Sequence, residues 1–351
     1  MTAERGARAA GGAAGGAERA RALAAIAGTG AVVSRLAVGG GPLGNLLQPM
    51  TDADARRLVR SALDLGLRHF DTAPVYGMGL AERRLGRSLS GIDRDDVTVS
   101  TKIGRLLRAD APREEGLFHD GQPFFRDAPQ LGTLWDFSYA GAVASLEESL
   151  ARLELARADI VYLHEPSPHQ VRQAAGEAFR ALADMRAAGE VRAVGLGSDR
   201  VDVMAELVRE LDLDCLLLAN RYSLLDPSAL DEVLPLCAER GIAVIAGGVF
   251  NSGILADPGA TFDYLPADAE VRARVARLRA VCQSWGVPVK AAALQFPLGH
   301  PAVVSVVVGM RSEAELHDNV AMLELELPPG LWDDFKRLEL IPRAAPTPTA
   351  G

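Results

Sequence analysis

A carboxylate that closes an apolar run, five residues ahead of a tyrosine held in a turn, is half of a proton-transfer site. Leu67–Phe70 lead into Asp71, Pro74 and Gly77 then enforce a loop carrying Tyr76, and a helix begins near Ala81. The same residues also suit a turn-capping aspartate beside a surface tyrosine. Two further apolar runs end in an ionisable side chain, Val97–Lys102 and Ile160–His164. Singly, Lys102 reads equally as a solvated strand end and His164 as a hydrogen-bonded rim histidine. Together, at the same ends of neighbouring strands, they describe one site.

A free tyrosine releases its proton only near pH ~10, too high for ready exchange at neutrality. A buried ammonium beside it favours the phenolate, and a carboxylate keeps that ammonium charged and oriented. A histidine opposite can hydrogen-bond a substrate oxygen and stabilise the charge building there. Asp71, Tyr76, Lys102 and His164 thus form a set for moving a proton on or off an alcohol or carbonyl oxygen. The sequence offers no nucleophile–base pair and no metal-ligand cluster: His164 and His169 lie five apart with Pro166 between them. The carbon then has to exchange a hydride with a bound cofactor.

Such a set needs strands whose ends converge. From Ala31 onward, short apolar or β-branched runs alternate with segments of helical period. Strands are expected at Leu36–Gly40, Leu67–Asp71, Val97–Lys102, Ile160–His164, Val191–Gly195, Cys215–Ala219, Ala243–Ala246 and Val303–Val308. Thr51 and Asp54 resemble a capping box, opening a helix with Leu58, Val59, Ala62 and Leu63 inward and Gly66 as its stop. Ser138–Leu155 carries Val143, Leu146, Leu150 and Leu153 on one side. The remaining helices are expected at Ala81–Leu89, Glu177–Ala188, Val201–Leu211, Leu230–Arg240, Ala269–Trp285, Lys290–Phe296, Glu313–Leu323 and Gly330–Leu338. This alternation, without a composition break, indicates an α/β protein with one (β/α)8 TIM barrel over residues 28–340.

Gly39-Gly40-Gly41-Pro42-Leu43-Gly44 matches G-x-G-x-x-G, but Pro42 and a further loop precede the next helix. A dinucleotide fingerprint must turn straight into its helix, so these glycines are read instead as allowing close approach at the mouth of the first strand. Loops 105–137 and 249–268 exceed the length of simple connectors and hold Phe118, His119, Phe124, Phe125, Trp135, Phe250, Phe262 and Tyr264. Both follow strands, which places them at the C-terminal face as lids or pocket walls.

The net charge of −9 over 351 residues, without a long basic run, argues against nucleic-acid or membrane-surface partners. Cys215, Cys237 and Cys282 are scattered within apolar segments, as buried thiols in a reducing, cytoplasmic setting would be. No run approaches the ~20 apolar residues of a bilayer span. Residues 1–27, Ala/Gly-rich and lacking a signal-peptide core, and residues 341–351 are expected to be flexible tails, with some helix at Ala17–Ile26. Oligomeric state is not assigned.

Phe70-Asp71-Thr72-Ala73-Pro74-Val75-Tyr76-Gly77, Thr101-Lys102 and Leu163-His164 resemble the tetrad of the aldo-keto reductase family, over roughly residues 28–325. The resemblance implies a nicotinamide cofactor extended across the barrel mouth, Tyr76 as general acid/base, Asp71 and Lys102 tuning it, and His164 orienting the carbonyl. Segments 77–86, 247–255 and 293–298 resemble the branch of D-threo-aldose (L-fucose) 1-dehydrogenases and pyridoxal 4-dehydrogenases. In that branch a cyclic hemiacetal is oxidised to a lactone, with Tyr76 then acting as base. Substrate contacts implied at the pocket wall are Trp135 and Phe137.

The implied cofactor contacts are Gly40, Ser198, Asp199, Asn220, Phe250–Gly253 (with Asn251 and Ser252), Leu255, Gly309, Arg311, Glu315 and Asn319. Strand seven reads Gly247 where many members stack a tyrosine on the nicotinamide, so Phe250 or Tyr222 is assigned to cover the ring. The usual carboxamide glutamine aligns near Ala219, with Asn220 as its substitute, and Gly197-Ser198-Asp199 stands in place of Ser-Asn. Glu315 at the last cofactor helix would repel a 2′-phosphate and accept from a 2′-hydroxyl, favouring NAD over NADP, whereas Arg311 argues the other way. Competing readings are an NADPH-dependent aldehyde or ketone reductase, a pyridoxal 4-dehydrogenase, and a non-catalytic subunit that only holds cofactor.

Overall fold

The computed structural model describes residues 18–119, 121–257 and 259–349. Eight parallel strands close into a barrel: β1 (Leu36–Gly39), β2 (His69–Asp71), β3 (Thr98–Ile103), β4 (Ile160–His164), β5 (Ala193–Ser198), β6 (Cys215–Ala219), β7 (Ala243–Gly247) and β8 (Val303–Gly309). Closure is made where Val306 of β8 pairs with Leu36 of β1, and each strand pairs with the next in sequence. Alternation along each strand separates two cores. Ala37, Ile160, Tyr162, Ala193, Cys215 and Ile245 fill the barrel. Val38, Phe70, Val99, Val161, Leu163 and Leu216 face the helices.

The first helix, α1 (Asp52–Asp64), starts where Thr51 accepts from the Asp54 N–H and buries Leu58, Val59, Ala62 and Leu63, a cap that satisfies one orphan donor. Helix α2 (Leu80–Leu89) packs on α1 and on α3 (Tyr139–Leu153). A Cβ at Gly86 would lie 1.9 Å from the Leu153 carbonyl oxygen, so α2 and α3 meet backbone to backbone there. Between these helices and β3, Glu82 is fully buried, accepting from Thr101 at 2.8 Å and from Arg152 at 2.6 Å. The helix after β4 begins at Val171, earlier than expected, and passes through a π segment at Ala174–Ala178 before Phe179–Ala187. Strand β5 runs on to Ser198 rather than stopping at Gly195.

Both expected tails are corrected in part. Residues 1–17 lie outside the described residues, but Glu18–Arg21 is helical and Leu23–Ala25 pairs with Val32–Ser34 as a hairpin. Ile26, Ala31 and Val33 are buried within the interior cluster, so the hairpin plugs the N-terminal end of the barrel. At the other terminus Ile341 and Ala345 are buried, and a Cβ at Gly299 would strike the Thr347–Pro348 backbone at 2.6 Å. That segment is packed onto the body through apolar and backbone contact. Among the described residues no helix is long and apolar enough to cross a membrane, and no group of three or more His, Cys, Asp or Glu could hold a metal ion.

If the hairpin is a plug, Ile26→Ala should cost about 2–5 kcal/mol of stability, the range for emptying a buried aliphatic site. Urea unfolding checks this, and an unchanged midpoint would return residues 18–34 to the status of a loose arm.

Candidate active site

Register places the ionisable strand ends side by side. Asp71 pairs with Ser100, two residues before Lys102, and Tyr162, two before His164, pairs with Lys102. The side chains two apart on one strand share a face, so Asp71, Ser100, Lys102 and His164 all turn into the barrel mouth. The Lys102 ammonium, only 1% exposed, donates to Asp71 Oδ2 and to the Thr72 carbonyl, both at 2.8 Å. Ser100 Oγ donates to the other Asp71 oxygen at 2.8 Å and meets His69 Nε2 at 3.0 Å. A buried ion pair survives only when its remaining donors and acceptors are matched in this way.

Tyr76 is fixed by backbone. Gly44 and Gly77 press together so closely that a Cβ on Gly44 would lie 2.5 Å from the Tyr76 carbonyl carbon, and Gly77 adopts φ 63°. Both positions therefore require glycine. Arg84 of α2 holds the facing loop, donating to the carbonyls of Leu43 and Met50, to Asn45 Oδ1 and to Asp52 at 2.6–2.7 Å. The half-buried Tyr76 ring then lies with its centroid 4.7 Å from Lys102 Nζ and 6.3 Å from the His164 ring, which it meets edge-on.

Burial is the largest influence on Lys102 and pushes its pKa down, but the charges and hydrogen bonds of Asp71 and Tyr76 together outweigh it, and the net shift is upward. Burial raises the Tyr76 hydroxyl above the ordinary phenol range; Lys102 pulls against it, while Asp71 and Glu165 add to the rise. At neutral pH Tyr76 is therefore loaded with its proton, where the sequence pointed to a lysine-favoured phenolate. His164 is held well below the usual histidine range by burial first, then by the positive charges of Arg105 and Lys102. It is neutral at physiological pH and can offer a hydrogen bond without adding charge.

These groups border one cavity of about 500 Å³, within the range of small-molecule and cofactor sites. Asp71, Tyr76 and His164 line it, together with Gly39–Gly41, Gly309 and Arg311. The decoy glycines thus border the cavity, followed by a 3-10 turn at Pro42–Gly44 and not a helix. The two long loops roof it. Phe124 of one touches Tyr264 of the other with ring centroids 5.4 Å apart, and Phe125 packs on Tyr76 at 5.9 Å. The first loop is stitched down by Leu47 N–H to the Phe124 carbonyl and Arg126 N–H to Asn45. The second is anchored by Arg221, which reaches Asp199, Asp226 and Asp263.

Of the expected cofactor contacts, Gly40, Asp199, Asn220, Phe250, Ser252, Gly253, Gly309 and Arg311 line the cavity. The others lie outside its wall. Tyr222 is buried against Phe296 and His300, so among the two aromatics assigned to cover the nicotinamide only Phe250 faces the cavity. Asn251 is turned inward to accept from Ser223 at 2.6 Å, Leu255 is core, and Ser198 Oγ accepts from the Arg200 N–H. Glu315 accepts from the Arg311 N–H at 2.9 Å, and Asn319 is buried behind it with Oδ1 unpartnered. Trp135 and Phe137 pack on each other at 6.1 Å behind the wall, with Arg105 stacked 4.0 Å over Trp135. Arg105 and Glu165, both at the wall, were missed: each follows a strand end that was read from its last ionisable residue, Lys102 or His164, and their pairing is tertiary.

Glycine-lined walls, an aromatic face in Phe250, the Asn220 amide and the Arg311 cation fit an extended nicotinamide dinucleotide. The Aldo/keto reductase family model matches residues 35–339. The chain is 42% identical over 323 residues to a D-threo-aldose 1-dehydrogenase of Pseudomonas sp, covering 91% of this chain and 98% of that protein. It is 38% identical over 340 residues to a pyridoxal 4-dehydrogenase of Microbacterium luteolum, covering 90% and 97%. Among solved structures, a glycerol dehydrogenase from Gluconobacter oxydans superposes with a TM-score of 0.72 at 22% identity over 94% of this chain and 98% of that one, a likeness of fold alone.

Lys102→Met removes the charge that opposes the rise of the Tyr76 pKa. Any reaction needing deprotonated Tyr76 should then show the rising, acid-side limb of its pH–rate profile at higher pH than in the wild type. The variant should also lose about 3–5 kcal/mol of stability, because Asp71 is left buried and unpaired. A pH–rate profile that does not move would reject the assigned role of Lys102.

Proposed function

The chain belongs to the Aldo/keto reductase family and is an oxidoreductase, and we propose that it oxidises the anomeric carbon of an aldose of the D-threo or L-fucose type to a lactone. The observation that carries this reading is the convergence of Asp71, Tyr76 and His164 on one glycine-lined cavity, with Lys102 buried against Asp71 and the Tyr76 ring. The 42% identity to a D-threo-aldose 1-dehydrogenase supports the substrate class. A bound nicotinamide supplies the hydride acceptor. Gly40, Asp199, Asn220, Phe250, Ser252, Gly253, Gly309 and Arg311 would hold it.

The work of the protein is the proton. The anomeric hydroxyl lies against Tyr76 Oη and the His164 ring. Loss of the C1 hydride and of the hydroxyl proton converts the hemiacetal to the lactone carbonyl, with the proton passing to Tyr76. Lys102, anchored by Asp71, lowers the cost of the phenolate that must accept it. Neutral His164 directs the oxygen without competing for the proton. Because burial keeps Tyr76 protonated at neutrality, oxidation should accelerate as pH rises, and the reverse reduction should be favoured at lower pH. The aromatic roof of Phe124, Phe125 and Tyr264, with 38% identity to a pyridoxal 4-dehydrogenase, supports pyridoxal as a second substrate reading.

NAD is the proposed cofactor. The Glu315 carboxylate is held at the Arg311 backbone, where its charge offsets the one cation that lines this end of the cavity among the described residues. A 2′-phosphate then gains no net positive site. The three buried free cysteines suit a cytoplasmic enzyme. Oxidation of L-fucose, D-arabinose, L-galactose and pyridoxal, each followed with NAD and NADP, tests the reading. Aldose oxidation with a higher kcat/KM for NAD is expected. Activity confined to pyridoxal, or to NADPH-dependent aldehyde reduction, would replace it.

A further inference from the structure

We propose that Glu165, set in place by Arg105, reads the hydroxyl on the carbon next to the reacting one and so makes the site selective for a polyhydroxylated substrate. The inference rests on the aldose reading above and adds the group that recognises the sugar.

Residues that follow one another along a strand point to opposite faces, so the neighbour of His164 should turn away from the cavity. It does not. Glu165 leaves β4 with φ 49°, a left-handed conformation that is costly for a side chain bearing a Cβ, while its N–H still pairs with the Gly197 carbonyl at 2.8 Å. The outcome is that His164 and Glu165 line the same cavity. With His164 at the reacting oxygen, the carboxylate one residue on is within reach of the adjacent substituent. Backbone strain of this kind persists where the surroundings over-determine it.

The surroundings here are ionic. Arg105 is 4% exposed, forms ion pairs with Glu165 and with Glu114 at 3.3 Å, and stacks over Trp135. The Glu165 side chain is 40% exposed, so one part of the carboxylate is held and the rest is open. Two carboxylates share one guanidinium, so its single positive charge leaves one negative charge unmatched, and of the two carboxylates Glu165 lines the cavity. A charged acceptor at a cavity wall takes hydroxyl donors and repels anions. A polyol meets that demand, whereas a hydroxyl-free aldehyde would leave the carboxylate oxygen not held by Arg105 desolvated and without a donor.

The test compares kcat/KM for an aldose and for its 2-deoxy analogue, with the same cofactor, in wild type, Glu165→Ala and Glu165→Gln. The wild type should prefer the hydroxylated sugar by roughly 10- to 100-fold, the scale of a hydrogen bond to a charged acceptor. In Glu165→Ala the ratio should fall close to one, and in the near-isosteric Glu165→Gln, which keeps the shape should the alanine variant not fold, it should fall several-fold. A ratio near one in the wild type, or a wild-type ratio retained in Glu165→Gln, overturns the proposal while leaving aldose oxidation standing. A wild type that oxidises neither sugar removes the aldose reading itself, and this inference with it.

Discussion

The ion pair between Lys102 and Asp71 is the constraint around which the mouth of the barrel is arranged. Two charges at the end of a packed strand layer are costly to desolvate, and they persist because each has a further hydrogen-bond partner besides the other. Ser100 and the Thr72 carbonyl complete the set. Those partners meet because parallel register brings β2 and β3 level. The pair then acts on Tyr76, which burial alone would push still higher. It also helps keep His164 neutral. Burial, modulated by this buried cation, thus sets the protonation of Tyr76 and His164.

Around that centre, the structure relies on arginines as fasteners. Arg84 ties α2 to the loop after β1, Arg152 reaches the buried Glu82, Arg105 holds the wall beside His164, and Arg221 ties the second long loop to the rim. Each is partly or fully buried and multiply bonded, a use suited to the planar five-donor guanidinium. Apolar contact alone would not fix two long, irregular loops over a polar cavity. The aromatic meeting of Phe124 with Tyr264 closes the roof, while the arginines fix where the two loops stand.

The barrel was legible because eight apolar runs alternate with segments of helical period, and Asp71, Lys102 and His164 were legible because they close three of those runs, with Tyr76 in the turn after the first. What escaped depends on tertiary partners. Ala/Gly-rich composition around residues 18–31 hides a plug, since only Ile26, Ala31 and Val33 carry its packing. The proline-rich end hides a segment held by Ile341 and Ala345. Glu82 and Arg152 look like solvated helix charges until α2 and α3 are brought together. Glu165 reads as a residue facing away from the cavity, and only its left-handed backbone turns it inward. Tyr222 was misplaced for the opposite reason: an aromatic near a strand end was read as a cover, but Phe296 and His300 bury it.

The proposed function requires Tyr76 to carry the proton in a site whose lining fits a dinucleotide. The most direct measurement is single-turnover oxidation by Tyr76→Phe, alongside a fluorescence titration of nicotinamide binding. Turnover should fall by at least about 100-fold, the low end of a general acid/base contribution, with cofactor affinity close to that of the wild type. Turnover preserved in a variant that binds cofactor normally would contradict the account.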